Sequence, residues 1–293
     1  GSAADLRLRE VLSTKPSIKD EAGIVDLPSI QGDIMIRGLT FSYQNKKGQA
    51  LSNINLHIPK GSTLAIVGKI GSGKSTLVNL LLRVYNPPRN TIFIDHTDIR
   101  DIPLKRLRKS IGYVPQDHFL FSTSIKENIG FDPKGYEDDQ VELAAKQAHV
   151  YHDIKELPRG FDTPLGERGL SLSGGQRQRV SIARALVKEA PIMIFDDSLS
   201  AVDSKTEKNI LDTLKTKMND TTTIIISHRI STIQHADQII VLDGGKIVER
   251  GTHQSLLANA GIYKKMHNQQ LTGLNVKPPH SLEKQIAIKR RNR

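Results

Sequence analysis

At 293 residues the chain has room for one large domain or two small ones, and for a core of useful size. It has no cysteine, which excludes a disulfide framework and thiol chemistry, and no apolar run nears the length of a membrane helix or has the form of a signal peptide. The net charge of +11 would suit nucleic acid or an anionic membrane, but the six Lys or Arg and one acid between Lys277 and Arg293 supply +5 of it, and the sparse aromatics, 4% of residues, are not interleaved with basic ones as a base-stacking surface would need.

Residues 1–30 mix a short charged helical pattern (Leu6, Leu8, Val11, Leu12) with Pro16 and Pro28, and read as a linker arriving from something upstream. Gly1-Ser2 reads as an expression scar. From Ile34 the pattern alternates through Ile36, Leu39, Phe41 and Tyr43. A polar loop, Gln44 to Gln49, separates it from Ile54, Leu56 and Ile58. This predicts an antiparallel β-layer ahead of an α/β core.

Pro59-Lys60-Gly61 turns the chain into a short apolar strand, Leu64 to Val67, followed by Gly68-Lys69-Ile70-Gly71-Ser72-Gly73-Lys74-Ser75-Thr76. Leu77, Val78, Leu80 and Leu81 come next, spaced for one helix face. Strand, glycine-rich turn and helix start are the context that the phosphate-binding motif G-x-x-x-x-G-K-[ST] requires. Gly71 and Gly73 allow a tight bend in which successive N–H groups face one anion, and the helix adds the positive end of its dipole. Lys74 brings a charge to the β- and γ-phosphates, and the Ser75 hydroxyl can ligate Mg²⁺.

Thr91 to Ile94 and Ile111 to Val114 are short strand candidates. Residues 117 to about 179 are mostly helical, with Val141 to Val150 the clearest helix. The runs Ile192 to Phe195 and Thr223 to Ile226 are apolar without alternation, as in central strands of a parallel sheet covered on both faces. Ile239 to Leu242, Asp243-Gly244-Gly245 and Lys246 to Val248 form a hairpin. The helical block therefore interrupts one core rather than forming a separate domain. The basic end, residues 271–293, reads as a solvated, poorly ordered tail.

A second glycine pair stands at a helix start, in Leu172-Ser173-Gly174-Gly175-Gln176 before the helix-like run Arg177 to Val187. Two phosphate-reading loops thus lie about a hundred residues apart in one chain. Taken together, Gly68–Thr76 and Leu172–Gln176 resemble the ATP-binding cassette (ABC) family, over the stretch from about Asp33 to Met266. The resemblance implies a P-loop NTPase (RecA-like) α/β core with an N-terminal antiparallel β-subdomain and an inserted helical subdomain, together spanning 31–270. It implies binding of ATP and Mg²⁺ and head-to-tail pairing with a second nucleotide-binding domain, so that Ser173, Gly174, Gly175 and Gln176 face the γ-phosphate on a partner's P-loop.

Further residues match family motifs. Asp196 at the end of its apolar strand resembles the Walker B aspartate, which supports Mg²⁺. Gln116 in Val114-Pro115-Gln116 matches the Q-loop glutamine, which touches Mg²⁺ or the attacking water. His228 matches the switch histidine at the γ-phosphate. Ser200 to Asp203 resembles the D-loop at the dimer interface. Tyr43 stands where the family stacks an aromatic on adenine, a role that geometry must decide, since tyrosine is common in strands. Asp117 to Ile129 and Leu165-Gly166-Glu167-Arg168-Gly169 resemble exporter patterns, the second contacting the intracellular ends of transmembrane helices. The resemblance therefore implies a motor domain at the cytoplasmic face of the cell membrane, joined through residues 1–30 to a transmembrane domain, with no nucleic-acid partner expected.

The pattern breaks at Asp197, where the family usually carries the glutamate that polarises the attacking water. It is either a tolerated variant or the mark of the weak half of a heterodimeric exporter. A misplacement of roughly 1 Å in such a group costs on the order of a hundredfold in rate. Two rival functions stay open: a soluble ABC-type ATPase acting on nucleic acid, which the charge favours, and a regulatory ATP sensor without turnover, which Asp197 favours.

Overall fold

The structure, a computed structural model, describes residues 13, 16–20, 24, 29–44, 47–132, 135–166, 172–199, 204–217 and 220–272. The D-loop match at 200–203, residues 167–169 of the exporter loop, most of 1–28 and the tail from 273 onward lie outside them.

Strands β1 (Ile34–Phe41) and β2 (Leu51–Ile58) pair antiparallel from Ile34 opposite Ile58 to Phe41 opposite Leu51. The register shifts between Ile36 and Leu39, around Gly38 at φ 57°, so that the next core residue is Leu39 rather than residue 38. Two short strands, β4 (Ile92–Ile94) and β5 (Thr97–Asp98), extend this sheet in the order β2-β1-β4-β5.

The larger sheet has six strands: β3 (Thr63–Val67), β6 (Ile111–Val114), β7 (Ile192–Asp196), β8 (Thr222–Ile226), β9 (Gln238–Asp243) and β10 (Lys246–Gly251), ordered β10-β9-β3-β8-β7-β6. Every neighbouring pair is parallel except the β9–β10 hairpin. Gly244 and Gly245, at φ 51° and 76°, supply the two left-handed residues its two-residue turn needs.

Helix α1 (Lys74–Leu81) follows β3, and α2 (Leu104–Lys109) precedes β6. Between β6 and β7 run α3 (Ile125–Ile129), α4 (Asp138–Gln147), α5 (Tyr151–Lys155) and α6 (Gly174–Leu186). The remaining α-helices among the described residues are α7 (Ser204–Lys217), α8 (Ile230–Ile233), α9 (His253–Ala258) and α10 (Ile262–Leu271). The helix expected over Val141–Val150 starts earlier, where Glu137 and Gln140 form a capping box, and ends earlier, because His149 turns left-handed at φ 53°.

The larger sheet divides two cores. Leu64, Ile66, Ile192, Ile194, Ile224 and Ile226 face the antiparallel layer and α1. Their neighbours Ala65, Val67, Met193, Phe195 and Ile225 face the inserted helices. This accounts for strands apolar at every position. It also ties the inserted helices to the sheet through a shared core. Among the described residues no helix is long and apolar enough to cross a membrane.

Candidate functional site

Four adjacent parallel strands, β3, β8, β7 and β6, end on one edge of the larger sheet. The crevice beyond such strand ends is where open α/β sheets take ligands. The P-loop follows β3, Asp196 ends β7 with Asp197 next, His228 lies two residues past β8, and Gln116 two residues past β6. Residues spread over more than a hundred positions therefore meet at one place.

Within the P-loop, Gly73 is the N-cap of α1 at φ 107°, and a Cβ there would lie 2.7 Å from Leu51 and 2.8 Å from the Ala50 carbonyl oxygen. Gly71 has φ 80°, with nothing among the described residues within 4 Å of where its Cβ would stand. One glycine is required by packing. The other leaves the backbone open to a ligand. Among the described residues no side chain caps the start of α1, which leaves its first N–H groups to an anion.

Lys74 is buried, and its Nζ donates to the carbonyl oxygens of Gly68 (2.8 Å) and Lys69 (2.9 Å). Burial pushes its pKa down, while the Asp197 and Asp196 carboxylates pull it back up. Ser72 is buried, with its Oγ unpartnered among the described residues. Lys69, Ile70 and Ser75 are exposed. Thr76 is buried and accepts a hydrogen bond from Tyr43 Oη at 3.0 Å.

Asp196 and Asp197 both have raised pKa values, burial being the main cause in each. At Asp196 a hydrogen bond from Tyr113 works against the rise and the Asp197 charge adds to it. At Asp197 the rise is opposed by the His228 side chain, by a hydrogen bond from the His228 backbone N–H, and by Lys74 and Arg229. Asp197 is left-handed at φ 46°, and its own N–H donates to the Ile226 carbonyl at 2.8 Å. Aspartate tolerates that backbone better than most residues. The His228 side chain is exposed, as is Gln116.

Tyr43 sits edge-on to Tyr85 and to Phe41, with ring centroids 5.1 and 5.2 Å apart. Tyr85, 42% exposed, adds a second aromatic that sequence reasoning missed. Tyr113, which touches Asp196, was missed as well, although its place three residues before Gln116 puts it beside the site. Burial and the Asp196 charge raise its phenol pKa, keeping it a donor.

The second glycine-rich loop is separate in kind. Ser173 caps α6: its Oγ accepts from the Gln176 N–H at 3.2 Å, and the Gln176 Oε1 accepts from the Ser173 N–H at 3.0 Å. Gln176 Nε2 also donates to Asp153 Oδ1 at 3.2 Å. Gly174 and Gly175 form the first helical positions, and Ser173 and Gly174 are exposed. The structure brings the P-loop, Asp196, Asp197, His228 and Gln116 to one edge. It presents Ser173–Gln176 as an outward helix start on the inserted segment.

A hydroxyl at Ser75, a half-buried carboxylate at Asp196 and an amide at Gln116 offer the oxygen donors that a hard divalent cation takes. An open loop of N–H groups with a lysine in its first helical turn suits a polyphosphate.

The family model described as ABC transporter matches residues 51–200, just over half of the chain. The "Probable multidrug resistance ABC transporter ATP-binding/permease protein YheI" of Bacillus subtilis is 46% identical over 270 residues, covering 92% of this chain and 46% of that protein. An "ATP-dependent lipid A-core flippase" of Vibrio cholerae is 44% identical over 249 residues, covering 85% and 43%. A solved bacterial Atm1-family ABC exporter with ATP bound superposes with a TM-score of 0.85 at 39% identity, over 91% of this chain and 46% of that one. The chain spans about half the length of the curated relatives it matches. The family match runs from β2 through the loop after β3 and the inserted helices to just past Asp197, and the chain belongs to the ABC transporter family.

Proposed function

We propose that this chain is the ATP-binding and ATP-hydrolysing domain of a membrane exporter, with a slow site of its own and an intact loop that serves a partner chain. The observation that carries the reading is the meeting of the P-loop, Asp196, Asp197, His228 and Gln116 at one sheet edge. The relatives named as exporter and flippase support the transport role, and the ATP held by the solved exporter supports the nucleotide.

The P-loop N–H groups and Lys74 bind the phosphates, releasing Lys74 from its present carbonyl partners. Ser75, Asp196 and Gln116 would hold Mg²⁺, which when bound neutralises charge on the β- and γ-phosphates. Tyr43 offers a ring to the adenine. His228 hydrogen-bonds the γ-phosphate. Asp197 orients the attacking water, at a reach one methylene shorter than glutamate. Ser173, Gly174, Gly175 and Gln176 meet the γ-phosphate held by a second nucleotide-binding domain, on a different chain that carries glutamate. Residues 1–30 join the cytoplasmic domain, 31–270, to the transmembrane part, and 271–293 form the tail.

The test is ATP turnover by the unmodified chain and by Asp197→Glu, each alone and with candidate partner chains. The reading expects the glutamate variant to be faster by about ten- to a hundredfold. Equal rates in the two would overturn the slow-site reading. Binding without turnover in either would favour a regulatory ATP sensor.

A further inference from the structure

The His228 backbone is held from two sides by groups far apart in the chain. Its N–H donates to the Asp197 carboxylate. Its carbonyl accepts from Nε2 of Gln270, in the last turn of α10, 42 residues further on. The same Gln270 amide accepts at Oε1, 2.8 Å from the N–H of Ile230, the first residue of α8. One amide thus satisfies a carbonyl before Arg229 and an amide proton after it, and only one orientation of the amide provides both. With N–H and C=O both engaged, φ and ψ of His228 are fixed while its side chain stays exposed at the sheet edge.

α10 is itself firmly seated. At its first turn the Glu249 carboxylate of β10 accepts from the N–H groups of Ile262 and Tyr263. Tyr263 is fully buried, and its hydroxyl lies 2.8 Å from Nδ1 of His253. On the opposite side of the loop, buried Glu207 of α7 accepts from Arg229 Nη1 at 3.0 Å and from the Thr232 hydroxyl.

We propose that Gln270 is a positioning residue for ATP hydrolysis: through the His228 carbonyl and the Ile230 N–H it fixes the backbone that aims the His228 ring, and it touches no nucleotide itself. The inference rests on the hydrolytic reading of the site. The clamp itself can be measured without turnover.

The experiment uses the 293-residue chain with ring-labelled histidine, the His228 NMR signal being assigned by its loss in His228→Ala. Three variants are compared with the unmodified chain. Gln270→Leu removes both hydrogen bonds. Gln270→Glu keeps the acceptor for Ile230 and sets a carboxylate against the His228 carbonyl. Gln269→Leu changes an exposed neighbour on the same turn and serves as the control.

Both Gln270 variants should move the His228 signal in the nucleotide-free chain, and the control should not. With MgATP they should bind nucleotide within about twofold of the unmodified chain but turn it over roughly five- to twentyfold more slowly, rates being read in the Asp197→Glu background. An unmoved His228 signal overturns the proposal. So does a moved signal with an unchanged rate, or an equal effect from Gln269→Leu. If the unmodified chain neither binds nor hydrolyses ATP, the hydrolytic reading fails and the positioning role with it, whereas the free-chain signal still reports whether the clamp exists.

Discussion

Asp196 and Asp197 hold their protons more tightly than free aspartate because burial penalises their charged forms. Folding therefore raises both pKa values, and the native state keeps protons that the unfolded chain has released. The stability linked to them is fully present below the unfolded value of 3.8 and is lost as pH rises through the raised values. Asp196→Asn should accordingly raise the melting temperature of the nucleotide-free chain at pH 7.5, by more than at pH 4.5, while weakening Mg²⁺-dependent nucleotide binding. Parallel melts and binding titrations check both. Lys74→Ala should lower MgATP affinity by about ten- to a hundredfold, the worth of a charge-assisted phosphate contact, as equilibrium binding will report. Asp197→Glu should also cost about 0.5–1 kcal/mol of stability in a urea titration, because glutamate tolerates the left-handed backbone at φ 46° less well than aspartate.

At the scale of elements, contiguity decided what could be read in advance. The glycine-rich loop after β3 and the Ser173 helix start each announce themselves within a few residues, because local turn and cap chemistry dictates them, whereas Asp196 at its strand end is singled out only by resemblance to a family motif. The partner of the His228 backbone does not. Gln270 is one polar residue in a polar helix, and its role comes from how α10 docks beside α8. Arg83 was equally hidden. It lies fully buried after α1, donating to carbonyl oxygens of Ile102 at 3.1 Å and Ile99 at 3.4 Å and to Asn86 Oδ1 at 3.3 Å. Nothing in its sequence neighbourhood distinguishes it from a surface arginine. Arg83→Ala should destabilise the fold by about 2–4 kcal/mol in urea, since several buried acceptors would lose their donor at once. Ser173→Ala removes half of a capping box and should cost about 1 kcal/mol in a urea titration of the chain alone.

Across the whole molecule the larger sheet acts as a partition. Ile194 and Phe195 are neighbours on β7, both fully buried, yet they belong to different cores. Phe195→Ala should cost about 3–5 kcal/mol and loosen amide protection in α3 to α6, while Ile194→Ala, at about 2–5 kcal/mol, should loosen α1 and the antiparallel layer. Hydrogen exchange on the two variants distinguishes the sides. The runs of apolar residues revealed that the sheet is covered on both faces, but not that β3 would lie between β8 and β9, because strand order depends on pairings made across the length of the chain.

That order has a cost during synthesis. β3 ends at Val67, and neither strand that flanks it exists until the ribosome has passed Thr222. At roughly 5–20 residues per second, the apolar strand carrying the P-loop spends on the order of ten seconds or more without its neighbours. Until β8 and β9 have been made, the loop after β3 has a floor but no walls, and an apolar strand without its partners is exposed to wrong pairings for that interval.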